Sequence, residues 1–154
     1  MKFNGKTDIA ATLNATFAAF ADFERFEKQA MRAGAEIART DDLTAPGPGM
    51  MWDIRLSYRG KPRRIKAELV DYDPPNQLVF AAKAEGFEAD ILVELIPLSG
   101  QQTRASVTFD VRAKSLAAKL LLQSARLTKG AVNKRFRKRV ARFGRELENR
   151  IQSS

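Results

Sequence analysis

Neither cysteine nor histidine occurs anywhere in this 154-residue chain. Without cysteine there are no disulfides, no thiolate nucleophile and no sulfur-held metal, and a reducing cytoplasm is the expected compartment. Without histidine the commonest general base is gone, together with Ser-His-Asp arrangements and imidazole-held zinc or iron. Any chemistry falls to carboxylates, lysines, tyrosines and hydroxyls. The chain is therefore expected to work with no cofactor and no metal.

Long apolar runs are missing as well. No stretch reaches the ~18 residues of a bilayer-crossing helix. The opening MKFNGKTDIAATLNATF alternates polar and apolar residues, where a signal peptide needs an unbroken run of about 7 to 15. No export is expected, so the sequon Asn14-Ala15-Thr16 reads as chance.

Acidic residues are scarce at one end only. Residues 114–154 hold 12 Lys or Arg against 2 acids, leaving 15 basic and 16 acidic residues before them, so the whole net charge of +9 sits in the tail. Such asymmetry points to an anionic partner and says nothing about fold. A length of 154 residues with 44% hydrophobic content suits one domain, 1–154, with room for a core and a cavity.

Periodicity divides the chain into three stretches. KFNGKTDI (2–9) reads as a short strand; Thr12 then caps a helix with Leu13, Phe17 and Phe20 on one face, and a second helix over about 23–32 carries Phe26 and Met31 and ends at Gly34. From Ala35 to Arg112 the period is two, broken by turn signals at APGPG, Arg59-Gly60-Lys61-Pro62, Asp73-Pro74-Pro75-Asn76, Glu85-Gly86 and Ser99-Gly100. Connections this short require antiparallel hairpins.

Carrying the alternation across each turn tests the reading. Pairing Tyr58 with Arg63, Asp71 with Leu78 and Ala84 with Phe87 keeps one apolar face from Trp52 through Ala67, Phe80 and Ile91 to Val107 and Phe109. Asp53, Glu68, Asp90 and Glu94 fall on the opposite, wet face, where pairing with Arg55, Lys66 or Arg104 is their expected role. After Lys114 the period is helical again, with Ser115 as cap and apolar residues every three or four positions from Leu116 to Ile151. Gly130 and Gly144 weaken this helix slightly. A helix of some 35 residues would be ~50 Å long, its first half crossing the sheet and its end overhanging or bending.

This order, with "ADFERFEKQAMRAGAEI", "PGPGMMWDIRLSYRGKPRRI" and "DYDPPNQLVF", resembles the START-like, or SRPBCC, superfamily and its small polyketide cyclase/dehydrase-like or lipid-transport-like members. The resemblance covers essentially the whole chain. It implies an α+β helix-grip fold, with an antiparallel sheet of about six or seven strands wrapped around the long C-terminal helix. It also implies a hydrophobic small molecule or lipid held between sheet and helix.

The candidate ligand-binding residues follow from the apolar face: Trp52, Ile54, Leu56, Tyr58, Leu69 and Phe80, then Ala82, Ile91, Val93, Val107 and Phe109, with Leu120 and Leu127 from the covering helix. Large aromatics beside small alanines leave concave apolar space, and Trp52 and Tyr58 each add one polar group. Asp71 has inward parity near a turn, so Tyr58 with Asp71 is the one candidate acid/base pair. Gly47-Pro48-Gly49 precedes a strand and not a helix, which excludes a phosphate loop and suggests a hairpin-edge loop or a lid.

The basic stretch NKRFRKRVARFGRELENR (133–150) has two sides. Val140, Phe143 and Leu147 fall within about 40° of Phe136 on the helical wheel, whereas Lys134, Arg135, Arg137, Lys138, Arg142 and Arg145 fill the far arc. Lys134, Arg137, Lys138, Arg142 and Arg145 are therefore candidates for a surface that meets an anionic partner. An anionic membrane fits a carrier of apolar ligands. Nucleic acid is disfavoured, since zinc-finger, RNP-type and helix-turn-helix patterns are all missing.

The leading expectation is non-catalytic binding or transport of a hydrophobic molecule. The alternatives are a cyclase/dehydrase-like enzyme acting on an aromatic or polyketide-like substrate, and an interaction protein that docks through its basic helix. Ligand identity and oligomeric state are not legible.

Overall fold

A computed structural model describes residues 1–153. The chain order is β1 (Lys2–Ile9), α1 (Leu13–Phe20), α2 (Phe23–Arg32), β2 (Glu36–Arg39), β3 (Met51–Tyr58), β4 (Lys61–Asp73), β5 (Gln77–Ala84), β6 (Phe87–Ser99), β7 (Gln102–Ala113), α3 (Leu116–Arg126) and α4 (Lys129–Gln152). The strands form one antiparallel sheet in the order β1-β7-β6-β5-β4-β3-β2. With α4 against its inner face this is the helix-grip fold.

Local chemistry sets the boundaries. The Thr12 side chain accepts from the Ala15 amide at 3.1 Å, and Ser115 does the same for Ala118 at 3.1 Å, each satisfying an orphan amide of a first helical turn. Gly34, at φ 98°, ends the α2 region. Arg59 and Gly60 both have positive φ and form a two-residue turn, so Tyr58 pairs with Lys61 and not with Arg63. The expected register is two residues off, and an error of two preserves the face: Trp52 lies opposite Ala67 in place of Leu69, and Ile54 opposite Ile65 in place of Ala67, all of them inward.

One inward assignment fails. The β4–β5 register shifts between Leu69 and Asp71, so Leu78 pairs with Tyr72, and Asp71 pairs with outward-facing Val79. This bulge turns Asp71 to the convex side, where its carboxylate accepts a bond from Gln77 at 2.6 Å. Tyr72 takes the inward place and meets Phe17 edge-on at 5.5 Å.

The C-terminal helix is two helices. At the break, the Leu127 and Thr128 amides donate to Ser124 and Ala125 carbonyls, a tightened i to i−3 turn, and the Thr128 hydroxyl donates to Ala125 O. The two halves then exchange the roles expected of them. α3 meets chiefly the end of β7 and, through buried Ala118, the Gly86 turn, while α4 runs along β1 and α1.

Two glycines let α4 lie so close. A Cβ at Gly5 would sit 2.9 Å from Val140 Cγ2, and one at Gly144 would collide with Thr7. Toward the start of α4, Phe136 packs 6.0 Å from Phe3 and 6.5 Å from Phe109. Toward its end Leu147 is buried, and Glu148 accepts from the Ala10 amide. The helix is thus seated on the β1 edge of the sheet, and the inner faces of β3 to β6 lie open beside it.

Candidate ligand cavity

The space left between the displaced α4 and the middle of the sheet is a cavity of about 590 Å³. Its floor is the inward face of β3 to β7: Trp52, Ile54, Ala67, Phe80, Ile91 and Val107, with Leu78 and Val93. Its walls are helical. Phe20, Phe23, Phe26 and Ala30 come from α1 and α2, and Val140 and Phe143 from α4.

Aromatic rings make the walls stiff. Phe23, Trp52 and Phe80 form a triangle with centroids 5.6, 6.1 and 6.2 Å apart, and Phe143 lies 5.5 Å from Phe20 and 5.7 Å from Phe26. Such pairs add about 0.5–1.5 kcal/mol each beyond area burial. The cavity is therefore framed by packed rings and not left by loose ones.

Charge enters at two points only. Glu27 of α2 and Arg139 of α4 are the ionisable side chains on the lining. No hydroxyl and no lysine joins them. Nearby, the Arg39 guanidinium stands 5.8 Å over the Trp52 ring, and Arg150 stands 5.8 Å over Phe26, where burial lowers its pKa. Arg39 is held in place by Asp41, whose oxygens it meets at 2.6 and 2.7 Å. That same carboxylate accepts from the Leu43 and Met51 amides, so Asp41 is pushed far below the usual carboxylate range, chiefly by Arg39 and then by the amides.

Of the residues expected to bind ligand, Trp52, Ile54, Phe80, Ile91, Val93 and Val107 come together on this lining. The others do not. Leu69 is wholly buried in the core, and Phe109 is engaged with Phe3 and Phe136. Leu56 and Ala82 share the inward face but lie off the cavity. Tyr58 is 54% exposed at the β3–β4 turn, beneath the Arg59 guanidinium.

Leu120 and Leu127 need the larger correction: Leu120 on α3 is 57% exposed and Leu127 at its C-cap 89%, because α4 and not α3 lies over the sheet. The Tyr58–Asp71 pair also dissolves, since the two lie toward opposite ends of the β3–β4 hairpin, roughly 30 Å apart at ~3.3 Å per residue, and Asp71 faces outward. No residue of the Gly47-Pro48-Gly49 loop reaches the lining, so it is not a lid on this cavity.

Of the outer carboxylates, Asp53 and Asp90 are held by arginines, as is Asp8 on β1, whereas no such ion pair is seen for Glu68 or Glu94 among the described residues. Arg64 grips Asp53 at 2.8 and 3.0 Å, Arg112 reaches Asp90 at 2.8 Å, and Arg104 reaches Asp8 at 2.8 Å. Among the described residues there is no cluster of acids that could hold a metal ion. Lys134, Arg137, Lys138, Arg142 and Arg145 all lie exposed on the back of α4, with Arg142 alone of these in an ion pair, to Glu146 at 3.3 Å.

Sequence reasoning misses the helical half of the cavity. Phe20, Phe23, Phe26, Glu27 and Ala30 belong to it, as do Arg139, Val140 and Phe143; Ile37 of β2 is missed as well. A signal exists for Arg139: it lies about 60° from Phe136 on the helical wheel, on the margin of the packed face and outside the solvated arc.

A family profile described as "Polyketide cyclase / dehydrase and lipid transport" matches residues 1–148. Among solved structures, a protein from Thermus thermophilus is 17% identical, with TM-score 0.67 over 99% of this chain and 98% of that one. The Zhui aromatase/cyclase from Streptomyces sp. R1128 is 13% identical, with TM-score 0.68 over 98% and 95%. Ara h 8.0201 is 14% identical, with TM-score 0.60 over 100% and 99%. No curated protein matches the sequence. At these identities the structural likeness speaks for the fold alone.

Proposed function

This chain belongs to the polyketide cyclase/dehydrase and lipid-transport family of the SRPBCC superfamily, and from that premise we propose that it binds or carries a hydrophobic small molecule without covalent chemistry. The cavity between the sheet and α4 carries the reading. Its volume of about 590 Å³ lies within the range of about 300–1,000 Å³ usual for small-molecule sites. Its lining is aromatic and aliphatic except for Glu27 and Arg139, so the ligand is mostly hydrocarbon or aromatic ring, with a polar end directed to those two side chains.

The lining offers little for catalysis. A single carboxylate and a single guanidinium, without a hydroxyl, lysine or second acid, make a poor acid/base set for group transfer or dehydration. They make a sensible pair of anchors.

Titration with a neutral apolar dye such as Nile red tests this. The protein has one tryptophan, Trp52, on the cavity floor, so binding should change its emission as the dye brightens. Native mass spectrometry of protein purified from lipid-containing cells should also show a co-purifying apolar species that the dye displaces. A folded protein that neither binds dye nor carries any such species would end the proposal.

A further inference from the structure

α3 is built the wrong way round for a helix of a water-soluble domain. It packs on the protein through Ala118, which is 3% exposed, and turns leucines outward: Leu116 is 76% exposed, Leu120 57% and Leu127 89%. At 100° per residue these three fall within about 40° of one another, and Ala118 lies roughly opposite. The outward stripe is therefore the helix's own apolar face. A fourth leucine, Leu121, is 62% exposed on the flank.

The surroundings have one sign of charge. Residues 114–139 contain nine Lys or Arg and no acid. Lys119 and Arg126 lie on α3 beside the leucine stripe, Lys114 and Lys129 bracket the helix, and Lys134, Arg135, Arg137 and Lys138 continue along the exposed back of α4. None of these eight cations except Lys114, which reaches Glu88 at 3.7 Å, has an ion pair among the described residues.

Exposed leucines alone would fit any apolar partner. Leucines within a field of uncompensated cations fit an interface that is apolar at depth and anionic at its surface.

We propose that α3 is a membrane-docking element that lies in the surface of an anionic bilayer, with Leu116, Leu120 and Leu127 inserted among the acyl chains and the flanking lysines and arginines at the phosphates. Two forces must act together. Cations alone attract the protein from solution but leave it outside the headgroups and fully sensitive to salt; leucines alone insert weakly and without regard to lipid charge. This surface is separate from the cavity, so it stands whether or not a ligand occupies that space.

The test is flotation of the full chain with vesicles of phosphatidylcholine, pure or with about a quarter phosphatidylglycerol, at about 0.1 M salt. The protein should float with the anionic vesicles, with partitioning at least tenfold lower on neutral ones. The triple change Leu116→Ser, Leu120→Ser, Leu127→Ser should lower anionic binding about tenfold or more, with the circular dichroism spectrum and melting temperature retained because these side chains support no core. Lys119→Glu with Arg126→Glu and Lys129→Glu should do the same. In a Trp52→Phe background, Leu120→Trp should shift its emission to the blue on anionic vesicles.

Four results would overturn the proposal: no flotation of the wild type; flotation undiminished by the leucine changes, which would mean charge attraction alone; a wild-type dimer in light scattering that the leucine changes dissolve without any vesicle binding; or RNA binding in place of vesicle binding.

Discussion

Gly144 of α4 faces Thr7 of β1 across a gap with no room for a Cβ: a methyl group built on Gly144 would meet the Thr7 hydroxyl, methyl and Cβ together. This contact, with Gly5 against Val140, draws the helix to the edge of the sheet and so leaves the cavity beside it.

Gly144→Ala should therefore destabilise the protein. Alanine improves helix propensity by about 1 kcal/mol, but overpacking costs typically ~1–3 kcal/mol, and Thr7 stands on a strand that cannot withdraw. Denaturant unfolding should give a net loss of up to about 2 kcal/mol. In a Thr7→Ala background the loss should shrink, because two of the three obstructing atoms are gone. A higher midpoint for Gly144→Ala alone would show that the two elements are not in close contact.

Filling the cavity from its floor should weaken binding without harming the fold. Ala67 faces the space beside Trp52 and Ala82, so Ala67→Phe adds a ring where there is now void. Dye affinity should fall about tenfold or more, equivalent to ~1.4 kcal/mol, while the unfolding midpoint holds or rises through the added apolar contact. Unchanged dye affinity in the folded variant would place the ligand elsewhere.

The two charged lining groups should discriminate between ligands. Arg139→Ala should weaken the anionic dye anilinonaphthalene sulfonate by about two- to fivefold, the scale of a partly screened charge interaction of ~0.5–1 kcal/mol, and leave Nile red unchanged. Glu27→Gln should strengthen the anionic dye. Equal losses for both dyes in Arg139→Ala would mean that its stem packs against the ligand and its charge does not matter.

Asp41 should contribute acid-sensitive stability. Its folded pKa is depressed by Arg39 and by the Met51 and Leu43 amides, so the stabilisation is complete above the unfolded carboxylate pKa of about 3.9 and is lost as pH falls toward the folded value. Asp41→Asn should melt lower than wild type at pH 7, and the difference should narrow below about pH 4. A difference that stayed constant or widened in acid would reverse the assigned sign. Arg39, released in this variant, should also loosen over Trp52 and alter its fluorescence.

The sheet is legible because a strand's period of two ties every residue's face to its neighbours. The Tyr58 register error does no damage, since a slip of two preserves the face. Asp71 is misplaced because a bulge inserts one residue, and nothing in Val70-Asp71-Tyr72 announces it. The helical side is legible only in part. Phe136, Val140, Phe143 and Leu147 form a stripe at helical spacing, but a stripe does not say which element it packs on. Leu116, Leu120 and Leu127 make an equally good stripe and face solvent. Gly144 reads in sequence as a weak helix residue, whereas its missing side chain is the reason the helix fits.

By itself, the sequence determined the order of elements, the inward face of most of the sheet and the exclusion of thiol and imidazole chemistry, because alternation, turn residues and composition are local properties. Tertiary structure decided what lies above that face. Seating α4 on β1 through Gly5 and Gly144 brought Arg139 and Phe143 to the cavity, and packing of α3 through Ala118 left its leucines outside. Both outcomes depend on close approach between segments more than a hundred residues apart or on a break at Thr128, which no period in the chain encodes.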